Sequence, residues 1–129
     1  MIRVFILIIS IYLTQSLAQN KKFGPVLASS LTTIALCLFI YLIQPLYQID
    51  QIEIFPIIYS GSFIGMTSEK VLKRSELLYS CIPFYFYYFI ITQSFSGIGG
   101  SLGFSAFLSV TSIYIVKLTY TKLISRSFS

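Results

Sequence analysis

The chain is 129 residues long, 56% hydrophobic and only 10% charged, with a net charge of +5 and neither histidine nor tryptophan. A water-soluble domain carries roughly a quarter of its residues as charges, so this composition, with a mean hydropathy of +0.84, excludes an ordinary soluble fold. It is also too short for two domains, and residues 1–129 read as one transmembrane helical domain.

The charges divide the chain into elements. Uncharged runs cover Val4–Asn20, Phe23–Ile49, Ile54–Ser68 and Leu77–Val116, of 17, 27, 15 and 40 residues. A hydrocarbon core of roughly 30 Å takes about 20 helical residues, so the second run holds one span and the fourth holds two. The first predicted element, Val4–Ala18, is expected to be a retained, lipid-exposed span. Arg3, the apolar Val4–Leu13 and the small residues Ser16-Leu17-Ala18 also fit the three regions of a cleaved signal peptide. The second, Gly24–Tyr47, is a full span and carries Ser29, Thr33 and Cys37 at four-residue spacing. The third, Ile52–Met66, is interrupted by Pro56, Gly61 and Gly65. Its 15 uncharged positions reach only about 22 Å as a helix, so a re-entrant or interfacial segment is the alternative to a span.

The fourth element, Leu77–Ser96, contains six consecutive aromatic residues, Phe84–Phe89, directly after Pro83. Six consecutive residues cover every face of a helix. Tyr85 and Tyr88 share one of them and are expected to offer hydroxyls to neighbouring helices. The fifth, Ser101–Tyr120, follows the glycine-rich stretch Gly97–Gly103. The expected fold is all-α: a polytopic integral membrane helix bundle of four to five transmembrane helices, with a Gly-rich hairpin between the last two.

Five spans place eight of the nine basic residues on one side, with Arg3, Asp50 and Glu53 on the other. Basic residues concentrate in cytoplasmic loops, which puts the Lys21/Lys22 loop, the Lys70–Arg74 loop and the C-terminus in the cytoplasm of a cell with this protein in its inner membrane. Basic residues that flank apolar spans suit anionic lipid headgroups rather than nucleic acid.

The stretch Gly97–Gly103 does not match a nucleotide-binding loop. Counted from Gly97, the third glycine of Gly-x-Gly-x-x-Gly would fall on Leu102, and no lysine lies between Arg74 and Lys117. A tight turn between two helices explains it better, because glycine accepts positive φ values. Glycines also recur four apart at Gly61/Gly65 and Gly99/Gly103, and Gly97 continues at that spacing into Ser101, Ser105 and Ser109. Small residues every four positions let two helix backbones approach closely. These eight residues are the candidate helix-packing site.

Chemistry is sparse. Cys37 and Cys81 lie in apolar runs with no neighbouring base to form a thiolate. The four carboxylates all flank spans; Asp50 and Glu53, three apart, are a candidate cation site at a membrane entrance. No catalytic residue, metal or cofactor is expected, and the chain is not expected to be an enzyme. The expected function is that of a structural, accessory or regulatory subunit, whose partners are the bilayer and another membrane protein or a second copy of itself. A small homo-oligomeric pore or carrier is the alternative, and a membrane toxin-immunity protein a further one.

Overall fold

Apolar runs with few breakers have no side-chain partners for their backbone groups, so those groups pair within helices. A computed structural model, which describes residues 2–20, 22–47, 51–94 and 100–127, contains six helices and no strand among the described residues. They are α1 (Ile2–Ala18), α2 (Pro25–Tyr47), α3 (Gln51–Gly65), α4 (Arg74–Leu78), α5 (Cys81–Ser94) and α6 (Ser101–Ser127). The described chain is all-α, as expected. α2 and α6 each contain a stretch long and apolar enough to cross a membrane, Pro25–Gln44 and Ser101–Ile124. α1 is equally apolar but shorter.

Local chemistry sets the boundaries. α2 opens on Pro25, which has no N–H to leave unpaired in a first turn, while the Ala28 N–H donates to the Gly24 carbonyl at 3.0 Å. The predicted fourth span begins as helix only at Cys81; a short helix not expected from sequence, α4, precedes it in the charged connection, and a turn at Tyr79–Ser80 separates the two. Pro83 is the reason: its ring collides with the carbonyl four residues back in a continuous helix, and here that residue is Tyr79. Restarting at Cys81 moves Pro83 into a first turn, where it is tolerated. The turn is tightened by Ser80 N–H donating to Leu77 O at 3.0 Å and Ile82 N–H to Tyr79 O at 3.2 Å. Of the glycine stretch Gly97–Gly103, residues 97–99 lie outside the described residues, Gly100 is a turn residue, and residues 101–103 open α6.

α3 is the inner helix. It packs against α1, α2 and α6, and its Ile54, Ile57, Ile58, Ser60, Ser62 and Ile64 are all buried. The segment expected to be marginal is therefore the centre of the fold. Its pairing with α1 is parallel, from Arg3 against Glu53 at one end to Thr14 against Gly65 at the other. α5 and α6 run antiparallel, with Tyr87 against Ser112 and Glu76, just before α5, against Lys117. One core cluster joins Leu7 and Ile11 of α1 to Ile57 and Ile64 of α3, Phe84 of α5 and Ala106 of α6; Ile8 packs against it. The first helix thus packs one face, including Ile8, inward against the core while Phe5, Tyr12 and Leu13 stay exposed, where sequence reading expected exposure alone. A second cluster joins Ile40 of α2 to Ile54 and Ile58.

The exterior is apolar as well as the interior, unlike that of a water-soluble bundle. Ser10, Thr14, Ser29, Thr32, Ser60, Ser62, Ser105 and Ser109 are buried, whereas α2 exposes Val26, Ile34, Phe39 and Leu42 and α6 exposes Phe104, Phe107, Val116 and Leu123.

Candidate functional site

Gly61 and Gly65 stand one helical turn apart on the face of α3 that meets α1. A Cβ at Gly61 would lie 2.9 Å from the Ser10 Cβ and 3.0 Å from the Leu7 carbonyl oxygen. At Gly65 it would lie 2.7 Å from the Ile11 carbonyl oxygen and 2.7 Å from the Thr14 Cβ. The obstructing atoms are backbone oxygens and Cβ atoms, which cannot swing aside as a side-chain tip can. Only glycine permits this separation of the two helices. The α1 surface opposite is Leu7, Ser10, Ile11 and Thr14, repeating at three and four residues as one helix face. Sequence reading missed Ser10 and Thr14, although with Ala18 they form a small-residue series at four-residue spacing. The apolar bulk of Ile2–Leu13 and its likeness to a signal peptide masked it.

Hydroxyls stitch the same region across helices. Ser10 Oγ donates to the Ile58 carbonyl at 2.7 Å, joining α1 to α3. Ser29 and Thr33 of α2 both donate to Ser62 Oγ at 3.0 Å, and Ser62 in turn donates to Tyr59 O at 2.7 Å. These two α2 residues belong to the four-residue series read from the sequence; Cys37, the third, packs against the Ile40–Ile58 cluster. Ser62, the acceptor they share, escaped notice because the glycines on either side drew the pattern.

The α6 residues behave differently. Ser105 and Ser109 are fully buried, but their hydroxyls donate within α6, to Leu102 O at 2.9 Å and Ala106 O at 2.7 Å. They contribute small size, not bonds to a neighbour. Ser101 is half-buried. A Cβ at Gly103 would meet only the Phe63 ring, at an ordinary 3.9 Å. Gly97 and Gly99 lie outside the described residues. Among the described glycines, close approach is concentrated at Gly61 and Gly65.

Of the six aromatics, Phe84 is buried, while Phe86 and Phe89, three apart, are exposed. Tyr85 and Tyr88 do share the inner face, packed on the first core cluster. The Tyr85 hydroxyl is buried without a partner, and the neighbouring Tyr87 hydroxyl, which sequence reading did not single out, lies 2.9 Å from Ser112 Oγ of α6.

The charged groups gather at one end. Lys117 Nζ donates to Glu76 Oε2 at 2.7 Å and to Val71 O at 3.1 Å. Arg74 donates to Glu69 at 3.1 Å and to Gln19 Oε1 at 2.8 Å, with its guanidinium 5.2 Å from the Tyr12 ring centre. The Glu76 carboxyl is held below its ordinary value, first by the Lys117 hydrogen bond and then by the Lys73 N–H. Arg3 and Glu53 pair with each other roughly 24 Å away along α1. Glu53 is thus engaged by a cation of its own chain, and Asp50, its companion in the candidate cation site, lies outside the described residues.

No family model, no curated protein and no solved structure matches this chain.

Proposed function

We propose that the chain is an integral membrane helix bundle that serves as a structural or accessory subunit, holding a membrane partner through helix surfaces. The observation that carries this reading is the apolar exterior. Two long apolar helices keep most of their side chains on the outside: only 22% of the α2 stretch and 17% of the α6 stretch are buried. The core helix of a soluble protein is buried on most sides; these face outward with Leu, Ile, Phe and Val, as lipid or a partner helix requires. Among its leucines and isoleucines the interior also holds hydroxyls and close-packed glycines, the residues that associate helices where hydrophobicity provides no drive.

Five spans fit the helix order, with α5 as the fourth and α4 in the charged connection before it. The shortness of α3 is compensated by its central place, since an inner helix does not itself face the lipid core. The gathering of Lys70, Arg74 and Lys117 at one end supports a cytoplasmic C-terminus by the positive-inside rule. The experiment is fractionation followed by reconstitution. The protein should stay in membranes washed with alkaline carbonate, co-purify with a defined membrane partner or a second copy, and pass no ions when alone in liposomes. Release by carbonate would refute the membrane reading, and selective flux from the purified protein would replace the accessory role with a pore.

A further inference from the structure

Where the end of α1, the start of α2 and the α3–α4 connection meet, they enclose a cleft of about 400 Å³ that helix packing leaves unused. Gln15 lines it and is only 2% exposed, and its buried Nε2 has no hydrogen-bond partner in the chain. A buried amide donor without an acceptor is unfavourable, so this position calls for an acceptor from outside. The rest of the wall selects the kind. Pro25 brings in the first turn of α2, whose leading N–H groups have no acceptor within the helix and whose dipole attracts negative charge. Lys70 adds a cation and Thr67 a hydroxyl. Glu69, the carboxylate of the wall, is occupied by Arg74 at 3.1 Å. Pro25 and Met66 make the remaining side apolar, matching a glycerol and the first methylenes of an acyl chain rather than a bare ion.

We propose that this cleft binds the phosphate of an anionic phospholipid, with Gln15 and the α2 N-terminus on the phosphate and Lys70 on its charge. The proposal rests on the membrane reading given above. The test uses the full-length protein purified in detergent, with bound lipid counted by native mass spectrometry after addition of phosphatidylglycerol or phosphatidylcholine. Phosphatidylglycerol should be retained roughly fivefold more, and Gln15→Met and Lys70→Gln should each reduce its retention by about fivefold, the size of one hydrogen bond or exposed charge contact. Lys70 is exposed, so Lys70→Gln keeps the test valid if Gln15→Met impairs folding. Equal retention of the two lipids, or unchanged retention in both variants, would overturn the proposal. Millimolar inorganic phosphate is the competing probe: failure to displace the lipid supports the lipid site, and displacement with the same dependence on Gln15 and Lys70 would assign the cleft to free phosphate instead. Carbonate extraction of the same membranes is scored separately, so a failed membrane reading is distinguishable from a failed lipid site.

Discussion

A methyl group at Gly65 would sit 2.7 Å from the Ile11 carbonyl oxygen, and one at Gly61 3.0 Å from that of Leu7. Overpacking a tight interface costs about 1–3 kcal/mol, so Gly65→Ala and Gly61→Ala should each lower stability by that amount in unfolding measured in detergent or nanodiscs. Gly103 is the contrast. It lies in the first turn of α6, its nearest obstruction is a ring atom at 3.9 Å, and a helical glycine is less favourable than alanine by up to about 1 kcal/mol. Gly103→Ala should therefore leave stability unchanged or raise it. Destabilisation of the same size at Gly103 and Gly65 would show that the glycines act through something other than the α1–α3 approach. The spacing of Gly61 and Gly65 was legible in the sequence, and so was that of Gly99 and Gly103. Which pair meets a backbone was not, because spacing defines a helix face without saying what lies opposite.

The helices show the same division. α1 supplies the Leu7–Thr14 face that closes over Gly61 and Gly65, the Ser10 bond to Ile58, and Gln15. A chain lacking Ile2–Ala18 would leave the α3 glycine face open, and it should accumulate to a small fraction of the full-length level, with residues of α3 becoming accessible to proteolysis. Accumulation equal to that of the full chain would mean that α1 is dispensable and would favour its reading as a removable signal. A second test concerns the end of the bundle, where Glu76 links α4 to α6 through Lys117. The folded-state pKa of Glu76 is depressed from its ordinary 4.5, so the contribution of this pair is present above that value and lost as pH falls through the depressed one. Thermal stability of the parent should drop on acidification below about pH 4.5, and the drop should be smaller in Glu76→Gln. Because the pair is solvent-accessible, the difference should also shrink in high salt. Equal acid profiles for the two proteins would remove Glu76 as the cause. Hydropathy located every helix except α4, which lies in the charged connection before Leu77, and it began the fourth element too early, since an average over a window does not register that Pro83 excludes the carbonyl of Tyr79.

For the molecule as a whole, the separation of charge gives the orientation to test. Cysteine introduced at Lys70 or Lys122 should be shielded from a membrane-impermeant thiol reagent in intact cells, with Cys37 and Cys81 first replaced by serine. Cysteine introduced at Gly100 should label. The reverse pattern would invert the bundle, and labelling at both ends of α6 from outside would remove it as a span. Eight of nine basic residues fall on alternate connections in the sequence. The structure adds that residues distant in the chain share that end, with Arg74 bonded to Gln19 and Lys117 to Val71.

The sequence by itself determined that the chain is helical, where its apolar runs lie, and that its charges sit between them. These are local properties: helix formation and hydropathy sum over neighbouring residues, and a run without charges reads the same in any tertiary setting. The tertiary structure alone decided that the Pro- and Gly-interrupted α3 is the centre, that one face of α1 packs onto it, and that Ser62 is the shared acceptor for α2. It also decided that Gln15 is left unpaired beside Lys70 and the start of α2. Those outcomes depend on the rotation and depth of each helix against its neighbours. Both are set by which backbones can approach within a Cβ radius, and no single helix records that in its own composition.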